Sequence, residues 1–238
     1  MDWNKDGKND LLVGNGIGEV KIFLNTNNNT NPVLDNGAYI QNGSINLDIG
    51  NRAASIVNDW NGDGKKDLIV GGYNGRINIF INQGTDASPV FNGSTTLQVG
   101  GAEYIVGGNS SRAAPRIYDW NHDGLKDLLV GEYYGYVYYL QNTGTNNAPV
   151  FSTSEKLLLL DGTQLRYLDS EYGNTPRSRL DVADWNGDGN ADLIVGGGNG
   201  KLMVFTAAPE PVSSTLFIVG SGVLGLAGLR KRFKKTQK

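Results

Sequence analysis

The chain of 238 residues contains no cysteine and a single histidine. Disulfides, thiolate metal sites and cysteine nucleophiles are thereby excluded, while the compartment stays open because exported proteins need not carry disulfides. The lone His122 has no sequence support for a Ser-His-Asp set. It occupies the variable fourth position of an acidic loop, where other copies have Gly or Lys, and is expected to face solvent. Nothing suggests a helical bundle: 34 glycines, 11 tyrosines, four tryptophans and 39% hydrophobic residues describe a turn-rich β-protein.

What the chain does have is repetition. "DWNKDGKNDLLVG" from Asp2 returns as "DWNGDGKKDLIVGG" from Asp59, "DWNHDGLKDLLVG" from Asp119 and "DWNGDGNADLIVGG" from Asp184. The starts are 57, 60 and 65 residues apart, so the repeating unit is a whole supersecondary module. Within one module a lead-in such as Ala53 to Asn58 is followed by the acidic loop, then "DLIVGG", a Gly-rich turn and an alternating run such as "RINIFIN". These pieces read as strand, loop, strand, hairpin and strand. In the third strands Val20, Ile77, Val137 and Leu202 share one column and Ile22, Ile79, Tyr139 and Val204 another, separated by Lys21, Asn78, Tyr138 and Met203. That is a period of two with one buried face. A further run after Pro32, Pro89 and Pro149 predicts a fourth strand. Four antiparallel strands per repeat of this size describe the blade of a β-propeller. The expectation is an all-β chain with four recognisable four-stranded blade repeats over 1–208, the first and last incomplete, forming part of a larger propeller.

The acidic loops have the composition of sites for a hard cation. Positions 1, 3, 5 and 9 are Asp2, Asn4, Asp6 and Asp10, then Asp59, Asn61, Asp63 and Asp67, then Asp119, Asn121, Asp123 and Asp127, then Asp184, Asn186, Asp188 and Asp192. Glycine at position 6 permits the sharp turn, and the position-7 residues Lys8, Lys65, Leu125 and Asn190 can each add a backbone carbonyl. Calcium suits this oxygen set, about one ion per repeat and up to four in all; magnesium demands a stricter octahedron, and the absence of His and Cys ligands argues against zinc. An EF-hand would need Glu at position 12, where Val13, Val70, Val130 and Val195 stand. The alternative is a set of Asx-turns with solvated aspartates, although a turn does not require the invariant Asp at position 9. Residues 1–208 hold 15 Lys or Arg against 23 Asp or Glu, a net of −8, which four divalent ions would neutralise.

With the "N-x-G-T" and "P-V-F" elements at Asn82 to Phe91 and Asn142 to Phe151, residues 2–206 resemble the FG-GAP or VCBS-type repeats of calcium-binding β-propellers such as the integrin α-chain head. The resemblance implies the fold and calcium. It is nearly silent on activity, since that family mixes adhesion modules, binding domains and appendages of polysaccharide-active enzymes.

The C-terminal 209–238 is a separate unit. Val212 to Leu229 is an uncharged run of 18 residues followed by five basic residues among the six of Arg230–Lys235. As a helix it would cover roughly 27 Å, near the hydrocarbon thickness of about 30 Å, with its basic end in the cytoplasm. The alternative is a buried glycine-rich segment, which would not normally end in such a cluster. With Pro209-Glu210-Pro211 ahead of it, the tail resembles the PEP-CTERM sorting signals of Gram-negative bacteria. That resemblance implies a transmembrane sorting helix, recognition by an exosortase-type enzyme, inner-membrane anchoring before processing, and then a cell-surface or extracellular location. Met1 is followed directly by an acidic loop without its lead-in strand, so upstream modules and a signal peptide are expected in a longer protein, and the ring of blades in 1–208 is expected to be open.

Other features carry less. "GNGIG" from Gly14 and "GGGNG" from Gly196 are hairpin turns without the helix N-terminus that a phosphate loop needs. Arg52, Arg112 and Arg177, each seven residues before a loop, read either as a guanidinium ring near a channel or as structural partners of neighbouring acids. Tyr134, Tyr136 and Tyr138 read either as an exposed strip that stacks on a ligand or as large residues of an amphipathic strand. The sequence therefore points to an exported, non-enzymatic calcium-binding module for a polysaccharide or surface-protein ligand, with no nucleic-acid partner. Two alternatives remain: a non-catalytic appendage of a polysaccharide-active enzyme, and a carbohydrate lyase, for which no general base is evident.

Overall fold

The computed structural model describes residues 1–108, 111–159, 161–167, 176–198 and 200–206, and the backbone of 225–226. Among the described residues there is no helix, and none long and apolar enough to cross a membrane. Two central modules form four-stranded antiparallel sheets in chain order. One contains Ala54–Asn58, Asp67–Gly71, Ile77–Phe80 and Thr95–Thr96; the next contains Ala114–Tyr118, Asp127–Gly131, Val137–Leu140 and Glu155–Lys156. The first module shows three strands, Leu11–Gly14, Val20–Phe23 and Ala38–Tyr39, and the last shows Arg179–Ala183, Asp192–Gly196 and Leu202–Phe205.

The strands predicted from the repeat are present; the fourth is shorter than its sequence suggests. It pairs for only two residues, as in Asn78 with Thr96 and Ile79 with Thr95, and then gives way to a small hairpin. Gln98–Val99 with Ala102–Glu103 and Gln41–Asn42 with Ile45–Asn46 form these hairpins. The chain bends here because Leu97 and Tyr104, or Ile40 and Leu47, turn inward to the core. The tail triplet Pro209–Pro211 and most of the span lie outside the described residues. Only Gly225–Leu226 of the span is described, as extended backbone pairing in parallel with Leu158–Leu159.

The core lies between modules. In the second strand of the second module, Leu68 and Val70 pack with Trp3, Val20 and Ile22 of the first module, whereas Ile69 packs with Leu128 and Val130 of the third. Both faces of this strand are therefore buried, which is why "DLIVG" is a continuous apolar run and not an alternating one. Trp120, Leu129 and Val137 likewise pack with Leu180, Leu193 and Val195. At the end of the series Leu202 is 64% exposed, whereas its column mates Val20, Ile77 and Val137 are fully buried by a following module.

Modules meet along a backbone seam. The Ala53, Ala113 and Ser178 amides donate to the Asn15, Gly72 and Glu132 carbonyls of the preceding module, at 3.1, 3.0 and 2.8 Å. Such close approach leaves no room for a side chain at the preceding Gly14, Gly71 or Gly131: a Cβ on Gly71 would stand 2.7 Å from the Ala113 carbonyl carbon. The lead-in strands thus lie side by side in chain order, with arginines near their starts and acidic loops at their ends. This all-β arrangement is consistent with β-propeller-like repeats.

Candidate metal centres

Each acidic loop closes on its own backbone. The glycine at position 6 is left-handed in every copy, at φ 85° in Gly7, 82° in Gly64, 85° in Gly124 and 85° in Gly189, as the sharp turn requires. Position 4 is also left-handed, and there Lys5 and the exposed His122 adopt it without being glycine. The position-1 carboxylates of Asp2, Asp59, Asp119 and Asp184 accept the amide of that glycine at 2.9, 3.0, 2.9 and 2.9 Å. Oδ1 of Asn4, Asn61, Asn121 and Asn186 accepts the position-5 amide, and Oδ1 of Asp6, Asp63, Asp123 and Asp188 accepts the amide of Lys8, Lys65, Leu125 and Asn190.

Position 9 has a different environment. Asp10, Asp67, Asp127 and Asp192 are buried. Oδ2 of each accepts the tryptophan amide at position 2, from Trp3, Trp60, Trp120 and Trp185 at 2.7, 2.8, 3.1 and 2.9 Å. In three copies Oδ1 accepts a second amide, from Asn25, Asn82 and Asn142, at 2.8 Å each. These aspartates pin the loop to the start of the "N-x-G-T" segment, a structural duty beyond the ligand role expected from their spacing. Burial pushes the Asp67 and Asp127 carboxyls up despite these amides. Tyr139 adds a hydroxyl donor to Asp127 at 3.0 Å.

A second clamp was not anticipated from the sequence. Asn29, Asp86 and Asn146 accept the position-8 amides of Asn9, Lys66 and Lys126. Asn29 and Asn146 also donate to the Gly7 and Gly124 carbonyls at 3.1 and 2.8 Å. Asp86, unable to donate, binds the ammonium groups of Lys5 at 2.8 Å and Lys66 at 3.5 Å. The signal lay in the residue after "N-x-G-T", which is Asp86 or Asn146 in the clearest copies. Lysine at position 8 reaches the preceding loop: Lys126 donates to the Asp59 carbonyl at 2.6 Å.

Whether the loops fit a cation turns on their donor set. Among the described residues no three acidic or histidine side chains form a ready-made ligand cluster. Yet Asp59 Oδ1 is buried with no hydrogen-bond partner, and such an oxygen is costly unless something positive satisfies it. The oxygen-only chemistry suits calcium. In the first two loops Lys8 and Lys65 bring an ammonium 3.5 and 3.6 Å from Asp6 and Asp63. Leu125 and Asn190 leave the third and fourth loops without that internal charge.

The other sequence candidates are placed as follows. Among the described residues Arg52, Arg112 and Arg177 make no ion pair with an acid, so that expectation is corrected. Instead Arg112 lies over the Tyr73 and Tyr133 rings, at 5.2 and 4.7 Å, and Arg177 over Tyr133 at 5.8 Å. Of the tyrosine strip, Tyr134 is exposed, whereas Tyr136 and Tyr138 are half-buried. Lys156 caps the Tyr136 ring at 3.7 Å, and Arg166 lies 4.8 Å from it. The strip is therefore partly covered and not an open platform.

The FG-GAP-like repeat model matches residues 59–130 and 119–195, more than half of the chain. The chain belongs to the FG-GAP-like repeat family. It is also similar to the phosphatidylinositol-glycan-specific phospholipase D of Dictyostelium discoideum, 27% identical over 188 residues. The match covers 65% of this chain and 19% of that enzyme, so the chain spans about a fifth of the relative's length.

Proposed function

We propose that the chain is an exported, calcium-stabilised β-propeller module that binds a polysaccharide or surface protein outside a Gram-negative cell and performs no catalysis itself. The orphaned, buried Asp59 Oδ1 within a loop geometry repeated four times carries the reading. The position-1, position-5 and position-9 aspartates, the position-3 asparagines and the position-7 carbonyls would hold the ion, the buried position-9 carboxylates also fixing the loop through their backbone amide partners. A bound calcium ion supplies positive charge that neutralises clustered carboxylates and ties the loop ends together. The chain's own residues supply the frame: tryptophan amides, the asparagine and aspartate clamps and the left-handed glycines.

The tail after Pro209 is read as an exosortase-type sorting signal that anchors the chain in the inner membrane before release to the surface. The test is fractionation of a Gram-negative host that carries such an enzyme, using the chain behind an added signal peptide. The body should appear outside the inner membrane, and deletion of 212–229 should abolish anchoring. A product that stays cytoplasmic and soluble contradicts the sorting reading.

A second reading is favoured by the named enzyme relative, of which this chain matches only a fifth. In it the chain is a non-catalytic appendage of a larger enzyme. An upstream catalytic domain in the complete gene decides for the appendage, and additional repeats alone decide for the free-standing binder.

A further inference from the structure

The two ends of the lead-in strands differ in charge. Acidic loops lie at one end; at the other Arg52, Arg112 and Arg177 stand two residues before the matched strand positions Ala54, Ala114 and Arg179. Five extended residues at about 3.3 Å each put roughly 17 Å between these ends. All three arginines are left-handed, at φ 53°, 54° and 46°, a conformation that non-glycine residues seldom adopt. Their amides donate to the Gly16, Tyr73 and Tyr133 carbonyls of the preceding module at 3.2, 3.1 and 2.9 Å. The module seam therefore fixes where each side chain begins.

Arg116 and Arg179 complete the group. Both line an opening of about 250 Å³ whose walls include Ala54, Ser55, Ala114 and Leu180. At ~30 Å³ per water, that volume is about eight waters, the size of a monosaccharide. Arg116 and Arg179 line the opening itself, and Arg52, Arg112 and Arg177 are near enough to act on Arg179 electrostatically; these are five of the seven arginines in 1–208, in a body whose net charge is −8. Arg116 is paired with Asp181 at 3.2 Å; among the described residues the other four have no ion-pair partner.

Nor are their hydrogen-bond donors used up. The Nε–H groups of Arg112 and Arg177 are buried without an acceptor. Stacking on Tyr73 and Tyr133 occupies guanidinium faces and leaves the in-plane N–H edges as a fork suited to an oxyanion. Burial, and after it the neighbouring arginines, pull the pKa of Arg112 and Arg179 down. Arg179 keeps solvent access through the opening while surrounding chain crowds it. A negative ligand would relieve that repulsion.

We propose that this opening and the arginines beside it bind an oxyanion, a carboxylate, sulfate or phosphate group either free or carried on an acidic sugar, held by Arg179 in the wall of the opening together with the neighbouring Arg112 and Arg177. The site goes beyond the calcium reading and does not depend on it. Its test is titration calorimetry of the full chain with sodium sulfate, sodium phosphate and sodium galacturonate, at ionic strength matched with chloride. At least one of these should bind saturably, with affinity reduced tenfold or more in Arg112→Gln and in Arg179→Gln. Arg76→Gln, which removes an arginine paired with Glu103 at 2.9 Å, should bind as wild type does. Galacturonate binding assigns the sugar-borne source, and binding of the inorganic ions alone assigns the free anion. Should Arg112→Gln fail to fold, the solvent-accessible Arg179→Gln decides. The proposal is overturned if none of the three ligands binds saturably, or if Arg179→Gln binds as tightly as wild type.

Discussion

Alanine at Gly71 should separate neighbouring modules, whereas alanine at the matching Gly196 should be harmless. The Gly71 Cβ would sit 2.7 Å from the Ala113 carbonyl carbon and 2.8 Å from Pro115 Cδ. Carbon contacts are comfortable from about 3.5 Å, so the backbones must part by about 0.8 Å. The seam that has to move includes the Ala113 amide bond to Gly72 and the packing of Ile69 against Leu128 and Val130. Overpacking of this kind costs about 1–3 kcal/mol, against a gain of about 0.4–1 kcal/mol from a stiffer unfolded chain. At Gly196 the nearest obstacle is Leu202 Cδ2 at 3.3 Å, the end of an exposed and flexible side chain. There the unfolded-state gain should win. The unfolded-state gain is common to both variants, so thermal unfolding of the full chain should place Gly71→Ala about 1–3 kcal/mol below Gly196→Ala, or roughly 2–12 °C in Tm at this size. Equal melting of the two variants would refute the close-approach argument.

Three further expectations follow from the loops and the buried acids. Leu125→Lys brings an ammonium beside Asp123, as Lys65 does beside Asp63 at 3.6 Å, and should weaken calcium binding at the third loop several-fold by titration, with no change refuting the role of that charge. Asp86→Ala should cost about 1–3 kcal/mol in denaturant unfolding because the Lys66 amide loses its acceptor. Asp86→Asn, which copies Asn29 and Asn146, should cost less than half as much; equal costs would contradict the clamp. Glu132 is pushed up by burial ahead of its hydrogen bonds to the Tyr134 and Tyr136 amides. The folded state thus holds this proton more tightly than the unfolded one, so its stabilising contribution falls as pH rises from about 4.3 through the raised native pKa. The stability of wild type minus that of Glu132→Gln should decline across that window, by up to about 1.4 kcal/mol for each pH step of one; a rise would contradict the burial argument.

The modules were legible because each repeats the same local chemistry: the left-handed glycine of the loop, the apolar second strand and the alternating third. The limits of that legibility have physical causes. A continuous run such as Leu68–Val70 gives no sign that alternate side chains belong to different intermodule cores. The fourth strand was legible but the hairpin after it was not, because Leu97 and Tyr104 satisfy burial by folding back on each other and not by extending the sheet. Spacing marked position 9 as a ligand but could not show its two backbone amide partners, which for Asp67 come from Trp60 and from Asn82, the latter 15 residues away. Tyr139 occupies an apolar column, and only its contact with Asp127 reveals the use of its hydroxyl. Arg52, Arg112 and Arg177 were visible as a column, but their stacking on tyrosines of the preceding module is a long-range consequence of the seam.

Calcium in the four loops is the central claim. The direct measurement is the calcium content of the purified full chain by mass spectrometry after dialysis in micromolar calcium, with a melting curve before and after EDTA. Up to four ions per chain are predicted, one fewer after Asp123→Ala, with a marked fall in Tm on chelation. Calcium held at 100 times its Kd stabilises the folded state by about 2.7 kcal/mol per site. A chain that retains no calcium and melts unchanged in EDTA would contradict the claim and leave the loops as hydrogen-bonded turns.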